Sequence, residues 1–288
     1  SFSYNNGNVT APYEYAGGIV GSVYSNYDST YIYGCTNKGY VYAGFDAGGI
    51  VGYGCYDCTV EESQNKGTIE GICCVGGIAG YIEGGYVANC LNDGEIIIDE
   101  DVSGEYEAAY GGGIYGETDY AEFINCISVG TVDNRSADFY GGLVGDIYSE
   151  ITIINCYYLD TTADFGVGAS WFDEGILLYT EEYEGANAVS ASEMKKDATF
   201  ADFDFEIIWT MGEEHPELMY AAASILGNAN LDDTVDKSDY TVVKRYCFET
   251  AELDFAERIA ADVNGDSVID KMDYSLIKRY CFGTAEIK

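Results

Sequence analysis

The sequence predicts a mainly β chain, a parallel β-solenoid of about five to six coils with a C-terminal cap, followed by a small all-α domain. Three observations carry this reading. A Gly-Gly pair recurs as GGIVG at Gly17 and again at Gly48, GGIAG at Gly76, GGIYG at Gly112 and GGLVG at Gly141, at intervals of 31, 28, 36 and 29 residues. A second element, [CS]-x-[NS]-x-G-x-[VI], alternates with it as SYNNGNV from Ser3, CTNKGYV from Cys35, SQNKGTI from Ser63, CLNDGEI from Cys90 and CISVGTV from Cys126. From Gly227 both patterns vanish, and a near-identical segment starts at Asn228 and again at Asp262, 34 residues later.

Each element follows from these repeats. A period near thirty with short β-branched stretches separated by Gly and Asn turns describes one solenoid coil, here read as three strands. Stacking such coils aligns Ile19, Ile50, Ile78, Ile114 and Leu143 in one interior column. A second column collects Ser3, Cys35, Ser63, Cys90, Cys126 and Cys156, small side chains suited to a tight corner. The longest interval carries an acidic excursion, Ile97 to Tyr110, expected to bulge as a loop. Ser190 to Leu218 changes character, with Met194, Phe200, Phe203, Phe205, Ile208, Trp209 and Leu218 supplying the apolar surface of a closing cap over the open end of the array. The expected division is 1–160 solenoid, 161–226 cap and 227–288 the all-α domain.

Composition narrows the function. The chain of 288 residues is 47% hydrophobic and carries 50 acidic against 13 basic residues, a formal net charge of -37. Such a surface repels phosphate backbones and anionic lipid, which excludes nucleic-acid binding and electrostatic membrane attachment. No apolar run is long enough to span a membrane. The chain reads as beginning inside a repeat, so an export signal is expected upstream. Cysteines that recur in phase with the repeats are read as buried free thiols rather than bonded pairs. Cys55, Cys58, Cys73 and Cys74 escape that logic, and zinc or a disulfide stays open for them.

The duplicated segment has the spacing of a calcium loop. Side-chain oxygens fall at loop positions 1, 3, 5, 9 and 12, as Asn228, Asn230, Asp232, Asp236 and Asp239 in the first copy and Asp262, Asn264, Asp266, Asp270 and Asp273 in the second. The backbone carbonyls of Thr234 and Val268 occupy position 7. Calcium takes six to eight hard oxygens, and clustered carboxylates without a cation repel one another, so two calcium ions are expected. Each loop is followed by an amphipathic DYxxxKRYCF stretch suited to a short helix, and AELDFAERIAA can link the two.

Loop, helix, linking helix, loop and helix over Gly227 to Gly283 resembles the type I dockerin family. The repeats from Ser3 to Asp160 resemble GLUG-motif repeats of secreted and surface proteins of bacteria. The first resemblance implies a cohesin domain of a scaffoldin as partner, and an extracellular, cellulosome or cell-surface location. Carried onto this sequence, the positions that read the cohesin are Lys237, Ser238, Lys244 and Arg245, with Lys271, Met272, Lys278 and Arg279 in the second copy. Two departures from the family pattern stand out. Position 6, usually Gly, is Asp233 and Ser267, and Asn228 replaces an Asp, which points to weaker calcium binding in the first loop.

Catalytic signatures are weak. The acidic pairs Glu61–Glu62, Asp99–Glu100, Glu181–Glu182 and Glu213–Glu214 read as solvated surface in an acidic protein. His215 is the sole histidine and lacks triad partners, and Lys38, Lys66, Arg135, Lys195 and Lys196 do not form a uronate-binding cluster. Rows of tyrosine, including Tyr13, Tyr15, Tyr24, Tyr27, Tyr31, Tyr33, Tyr40 and Tyr42, fit either sugar stacking or simple strand cover. The expected function is thus a non-catalytic component docked to a scaffold, its solenoid a spacer or a polysaccharide- or surface-binding module. The alternative is a fragment of a polysaccharide-degrading enzyme or a surface adhesin.

Overall fold

The computed structural model describes residues 3–24, 29–99, 108–133, 136–172, 176–178, 183–219, 226–230, 232, 234–253, 255–264, 268–285 and 287. The chain divides into two compact units, Ser1–Phe203 with Met211–Pro216, and Asp204–Thr210 with Glu217–Lys288. The first is a parallel β-solenoid of about five turns; the second holds the C-terminal helices.

Each coil has five short strands, which corrects the expectation of three. In the second coil they are Cys35–Asn37, Val41–Ala43, Asp46–Gly48, Val51–Cys55 and Cys58–Glu61. Equivalent strands stack in parallel register into five sheets. The extra strands arise because the Gly-Gly step turns the chain inside what reads as one apolar run. A Cβ on Gly48 would lie 1.8 Å from the Val51 carbonyl oxygen, a fold-back that no larger residue can make.

Both expected columns form. The backbone N–H of Ile19 donates to Ile50, Ile50 to Ile78, Ile78 to Ile114 and Ile114 to Leu143, at 2.8–3.1 Å. Ser3 pairs with Cys35, and the thiols of Cys35, Cys90, Cys126 and Cys156 each donate to the carbonyl two residues earlier at 3.4 Å. From Cys35 onward the residue before each column member has positive φ, namely Gly34, Glu62, Asn89, Asn125 and Asn155, so a left-handed corner precedes a small side chain in coil after coil. The [NS] position builds a third ladder that the motif did not announce. Nδ2 of Asn5, Asn37 and Asn65 donates to Oδ1 of Asn37, Asn65 and Asn92, at 2.8–2.9 Å.

Among the described residues of the solenoid, two apolar cores run side by side. One runs through Ile50, Val60, Ile78, Val87, Ile114 and Phe123. The other, of smaller side chains, contains Val41, Ala47, Ile69, Val75 and Ile96. Parallel pairing continues past Asp160, since Val167–Phe172 extends the fourth sheet and Ala186–Val189 extends the first. Beyond them a one-turn helix, Ala191–Met194, starts at Ser190, whose N–H and hydroxyl meet Glu193. Phe200 and Phe203 then stack edge-on around Tyr157 of Cys156–Leu159, the first-sheet strand that pairs with Ala186–Val189, at 4.7 and 5.7 Å between centroids. Of the expected bulge, residues 100–107 lie outside the described residues.

Tyrosines brace neighbouring coils. Tyr31, Tyr33 and Tyr40 direct their hydroxyls to Glu61, Glu62 and Glu70 of the next coil. Desolvation, followed by these carboxylates, pushes the phenols of Tyr31 and Tyr40 up to about 12. A raised folded-state value means stabilisation that is complete below the ordinary phenol value near 10 and is lost as pH rises through about 12. Tyrosinate absorbance is therefore expected to rise in two waves, the later one accompanied by loss of β-sheet circular dichroism. A single wave at the ordinary value would show that the braces do not hold.

Candidate functional site

Among the described residues the second unit contains the helices α1 (Lys237–Cys247), α2 (Phe255–Ala261) and α3 (Lys271–Cys281). Gly227, at φ +95°, turns the chain into the first loop, and its N–H donates to the Ala260 carbonyl at 2.8 Å. Ala229, Val243, Leu253, Ala261, Val263 and Ile277 form the shared core.

The two loops are built alike. Asp236 caps α1 by accepting from the Ser238 N–H at 2.6 Å, and Asp270 caps α3 by accepting from Met272 at 2.6 Å. The residue at position 12 closes each loop. Asp239 accepts from Asp236 N–H at 2.7 Å and from Asn230 N–H at 3.1 Å; Asp273 accepts from Asp270 at 2.9 Å and from Asn264 at 3.3 Å. Asp239 and Asp273 are fully buried. Burial pushes both carboxyls up, opposed by those backbone donors, with Asp232 and Asp236 adding repulsion at Asp239 and Asp262 at Asp273. Hydrogen bonds act the other way at the exposed carboxylates, holding Asp232 down through Thr234 and Asn230, and Asp236 down through Ser238.

This donor set fits a hard divalent cation. In the first loop three carboxylates and two amide side chains share one turn, with the carboxylates hydrogen-bonded only to groups of the loop and the first turn of its helix, a set of hard oxygens suited to such an ion. Asn228, Asn230, Asp232, Thr234, Asp236 and Asp239 would hold the ion there, and Asp262, Asn264, Val268, Asp270 and Asp273 in the second loop. Asp266, like Asp233 and Ser267, lies outside the described residues. A bound calcium ion neutralises the carboxylates and ties each loop to the first turn of its helix.

The partner-facing candidates Lys237, Ser238, Lys244, Arg245, Lys271, Met272, Lys278 and Arg279 are all exposed. They sit with pseudo-twofold symmetry. Lys237 lies 5.9 Å above the ring of Phe282 and Lys271 lies 5.7 Å above that of Phe248, while Arg245 and Arg279 reach the carbonyls of Thr250 and Thr284. The sequence reading passed over Phe248 and Phe282, which are 56% and 57% exposed. Their signal was present, a bulky aromatic repeated at the same exposed step of both KRYCF segments. The ten cysteines are free thiols, eight of them buried, but Cys247 and Cys281 are only half-buried, and Cys281 donates to the Asp236 carbonyl at 3.0 Å.

Residues 226–281 match the model of the dockerin type I domain. This segment is a dockerin type I domain. A dockerin is a docking module of the cellulosome type, from a calcium-binding family, and its presence implies a cohesin partner. Among solved structures, a Bacteroides ovatus protein described as a "putative immunoglobulin A1 protease" is similar over 75% of this chain and 68% of its own, with a TM-score of 0.49 and 20% identity. No curated protein matches the chain.

The catalytic candidates occupy structural places. Glu61 and Glu62 receive tyrosine hydroxyls, Glu214 pairs with Lys195 at 2.6 Å, and His215 Nδ1 lies 2.9 Å from the Pro216 carbonyl with Nε2 3.8 Å from Asp93. Glu100, Arg135, Glu181, Glu182 and Tyr27 lie outside the described residues. Among the described residues no helix is long and apolar enough to cross a membrane. Cys55, Cys58, Cys73 and Cys74, for which zinc or a disulfide stayed open, are free thiols in separate places. Cys55 ends a strand of the fourth sheet and Cys58 starts one of the fifth and joins the first apolar core, whereas Cys74 lies on the third sheet and, with Cys73, beside Asp46.

Proposed function

We propose that this chain is an extracellular, cellulosome-associated component whose dockerin binds two calcium ions and a scaffoldin cohesin, while the GLUG-type solenoid acts as a non-catalytic spacer. In this reading 1–160 form the solenoid, 161–226 its cap and 227–288 the dockerin. The observation that carries it is the duplicated loop and helix, hydrogen-bonded alike in both copies down to the buried Asp239 and Asp273. The tyrosine hydroxyls spent on acids of the next coil favour a spacer over a polysaccharide platform.

Lys237, Ser238, Lys244 and Arg245 form one recognition face, and Lys271, Met272, Lys278 and Arg279 its twofold equivalent, so either helix can meet the cohesin after a half-turn. Charge reversal of Lys244 and Arg245 alone is expected to weaken cohesin binding less than about threefold, since the other face remains. Reversing Lys278 and Arg279 as well should cost at least about a hundredfold, in line with losing charged contacts across a desolvated interface. Titration calorimetry against a cohesin panel tests this, and a large loss from the first pair alone would end the two-face reading. Release of reducing sugar from polysaccharides by the purified chain would overturn the non-catalytic assignment.

A further inference from the structure

The third and fourth solenoid sheets bring together two columns in which stacked aromatic side chains adjoin carboxylates and a thiol. In the third sheet Cys74 pairs with Asp46 on one side and with Tyr110 on the other, and Tyr110 with Phe139. In the fourth sheet Tyr53 pairs with Tyr81, Tyr81 with Glu117, and Glu117 with Asp146. The aromatic rows therefore break where the coils place a carboxylate, a thiol and a second carboxylate side by side. Cys73 sits at a bend just before the strand Cys74–Gly76, so both thiols face one point instead of alternating across the sheet, with Sγ atoms 3.4 Å apart. Cys74 Sγ is 3.1 Å from Glu117 Oε2. One ligand atom each from Asp46, Cys73 and Cys74 falls within 4.8 Å of the others.

Asp46 is 1% exposed, and its Oδ1 has no hydrogen-bond partner. No ion pair reaches Asp46 or Glu117 among the described residues. A buried carboxylate with an unused oxygen, facing two thiols and a second carboxylate, is strongly penalised unless a proton or a cation supplies the missing charge. Burial pushes the Asp46 and Glu117 carboxyls up, opposed at both by a hydrogen bond from Cys74, with Glu117 adding repulsion at Asp46 and Asp119 adding it at Glu117.

We propose that Asp46, Cys73, Cys74 and Glu117 form a buried binding site for one divalent cation of the zinc class, separate from the calcium loops of the dockerin. Two thiolates and two carboxylates are a tetrahedral zinc donor set. Metal–sulfur bonds of about 2.3 Å and metal–oxygen bonds of about 2.1 Å put tetrahedral edges at roughly 3.5–3.8 Å. The Cys73–Cys74 distance of 3.4 Å and the Cys74–Glu117 distance of 3.1 Å lie a few tenths of an ångström below those edges, and the Glu117 carboxylate would turn in to complete the set. Binding releases the thiol protons to solvent, and no electron is transferred. In the adjoining strands Tyr15, Tyr53 and Tyr81 stack on one another, as do Tyr110 and Phe139. The ion would pin the second, third and fourth coils to one another.

The test is anaerobic titration of the full reduced chain with cobalt(II) alone, with excess calcium present to fill the dockerin loops. One equivalent of cobalt should raise a thiolate-to-metal charge-transfer band that one equivalent of zinc then removes. The band should be lost in the double variant Cys73→Ser/Cys74→Ser and kept in Cys55→Ser/Cys58→Ser and in Cys247→Ser/Cys281→Ser. Should the first double variant misfold by circular dichroism, Asp46→Asn and Glu117→Gln carry the test, each expected to weaken cobalt binding at least tenfold. Absence of the band in the wild-type chain would overturn the proposal. So would its survival in Cys73→Ser/Cys74→Ser, or a Cys73–Cys74 disulfide found by mass spectrometry under the same reducing conditions. Cohesin binding is unaffected by either result, so this test and that of the docking function fail independently.

Discussion

Excess EDTA is expected to abolish cohesin binding by the full chain and to unfold its α-helices while leaving the β-sheet signal intact. The charge bookkeeping gives the sign. Asp232 and Asp236 stay ionised because Thr234, Asn230 and Ser238 donate to them, and Asp239 is buried among them, so the metal-free loop concentrates like charge around a carboxyl that burial already disfavours as an anion. A ligand held at 100 to 1,000 times its dissociation constant stabilises the folded form by about 3 to 4 kcal/mol per site, comparable to the whole stability of so small a unit. Losing it from two loops should lower cohesin affinity by at least about a thousandfold. Far-ultraviolet circular dichroism with and without chelator, beside calorimetry against the cohesin, reads both effects. Helical signal and affinity unchanged by EDTA would remove the basis of the docking reading. The first loop, with Asn228 in place of a carboxylate, should release its ion at the lower chelator concentration.

Asn65→Ala is expected to be the most damaging conservative change in the solenoid, at about 4 kcal/mol. Its side chain donates to Gly67 O and Asn92 Oδ1, and accepts from Gly67 N–H and Asn37 Nδ2, all within 3.1 Å and all buried. Truncation leaves these groups without partners where water cannot replace them, at about 1–3 kcal/mol for each buried group. The same change at Asn5, on the exposed first rung, should cost less than about 1 kcal/mol, because solvent takes over its hydrogen bonds. Solenoids unfold by neighbouring repeats, so hydrogen exchange of the second to fourth coils reports the loss better than a global midpoint. Equal costs at Asn5 and Asn65 would mean that the ladder contributes nothing through burial.

Much of this protein was legible in the sequence because repetition averages over local ambiguity. A lone GGIVG or CTNKGYV says little, but five phased copies set the coil length, the inward columns and the corner residues, and stacked coils in parallel register had to bring Ile50 over Ile78 and Cys90 over Cys126. The calcium loops were legible for a different reason. All the candidate ligands of one loop come from a single short segment, so their spacing carries their geometry, and the second copy repeats it. Even there, exposed Phe248 and Phe282 were passed over, since the lysine that covers each ring belongs to the other copy.

By itself, then, the sequence determined the solenoid class, its columns and the duplicated dockerin loops, since these depend on short-range periodicity or on contacts between equivalent positions. Only the tertiary structure decided that five strands make a coil, that an asparagine ladder runs through it, and that Cys73 and Cys74 meet Asp46 and Glu117 instead of Cys55 and Cys58. Those features depend on which way the chain turns at each Gly-Gly step and on which sheets then face each other. A turn direction is set by packing between coils, a sum of many contacts that no single stretch of residues encodes.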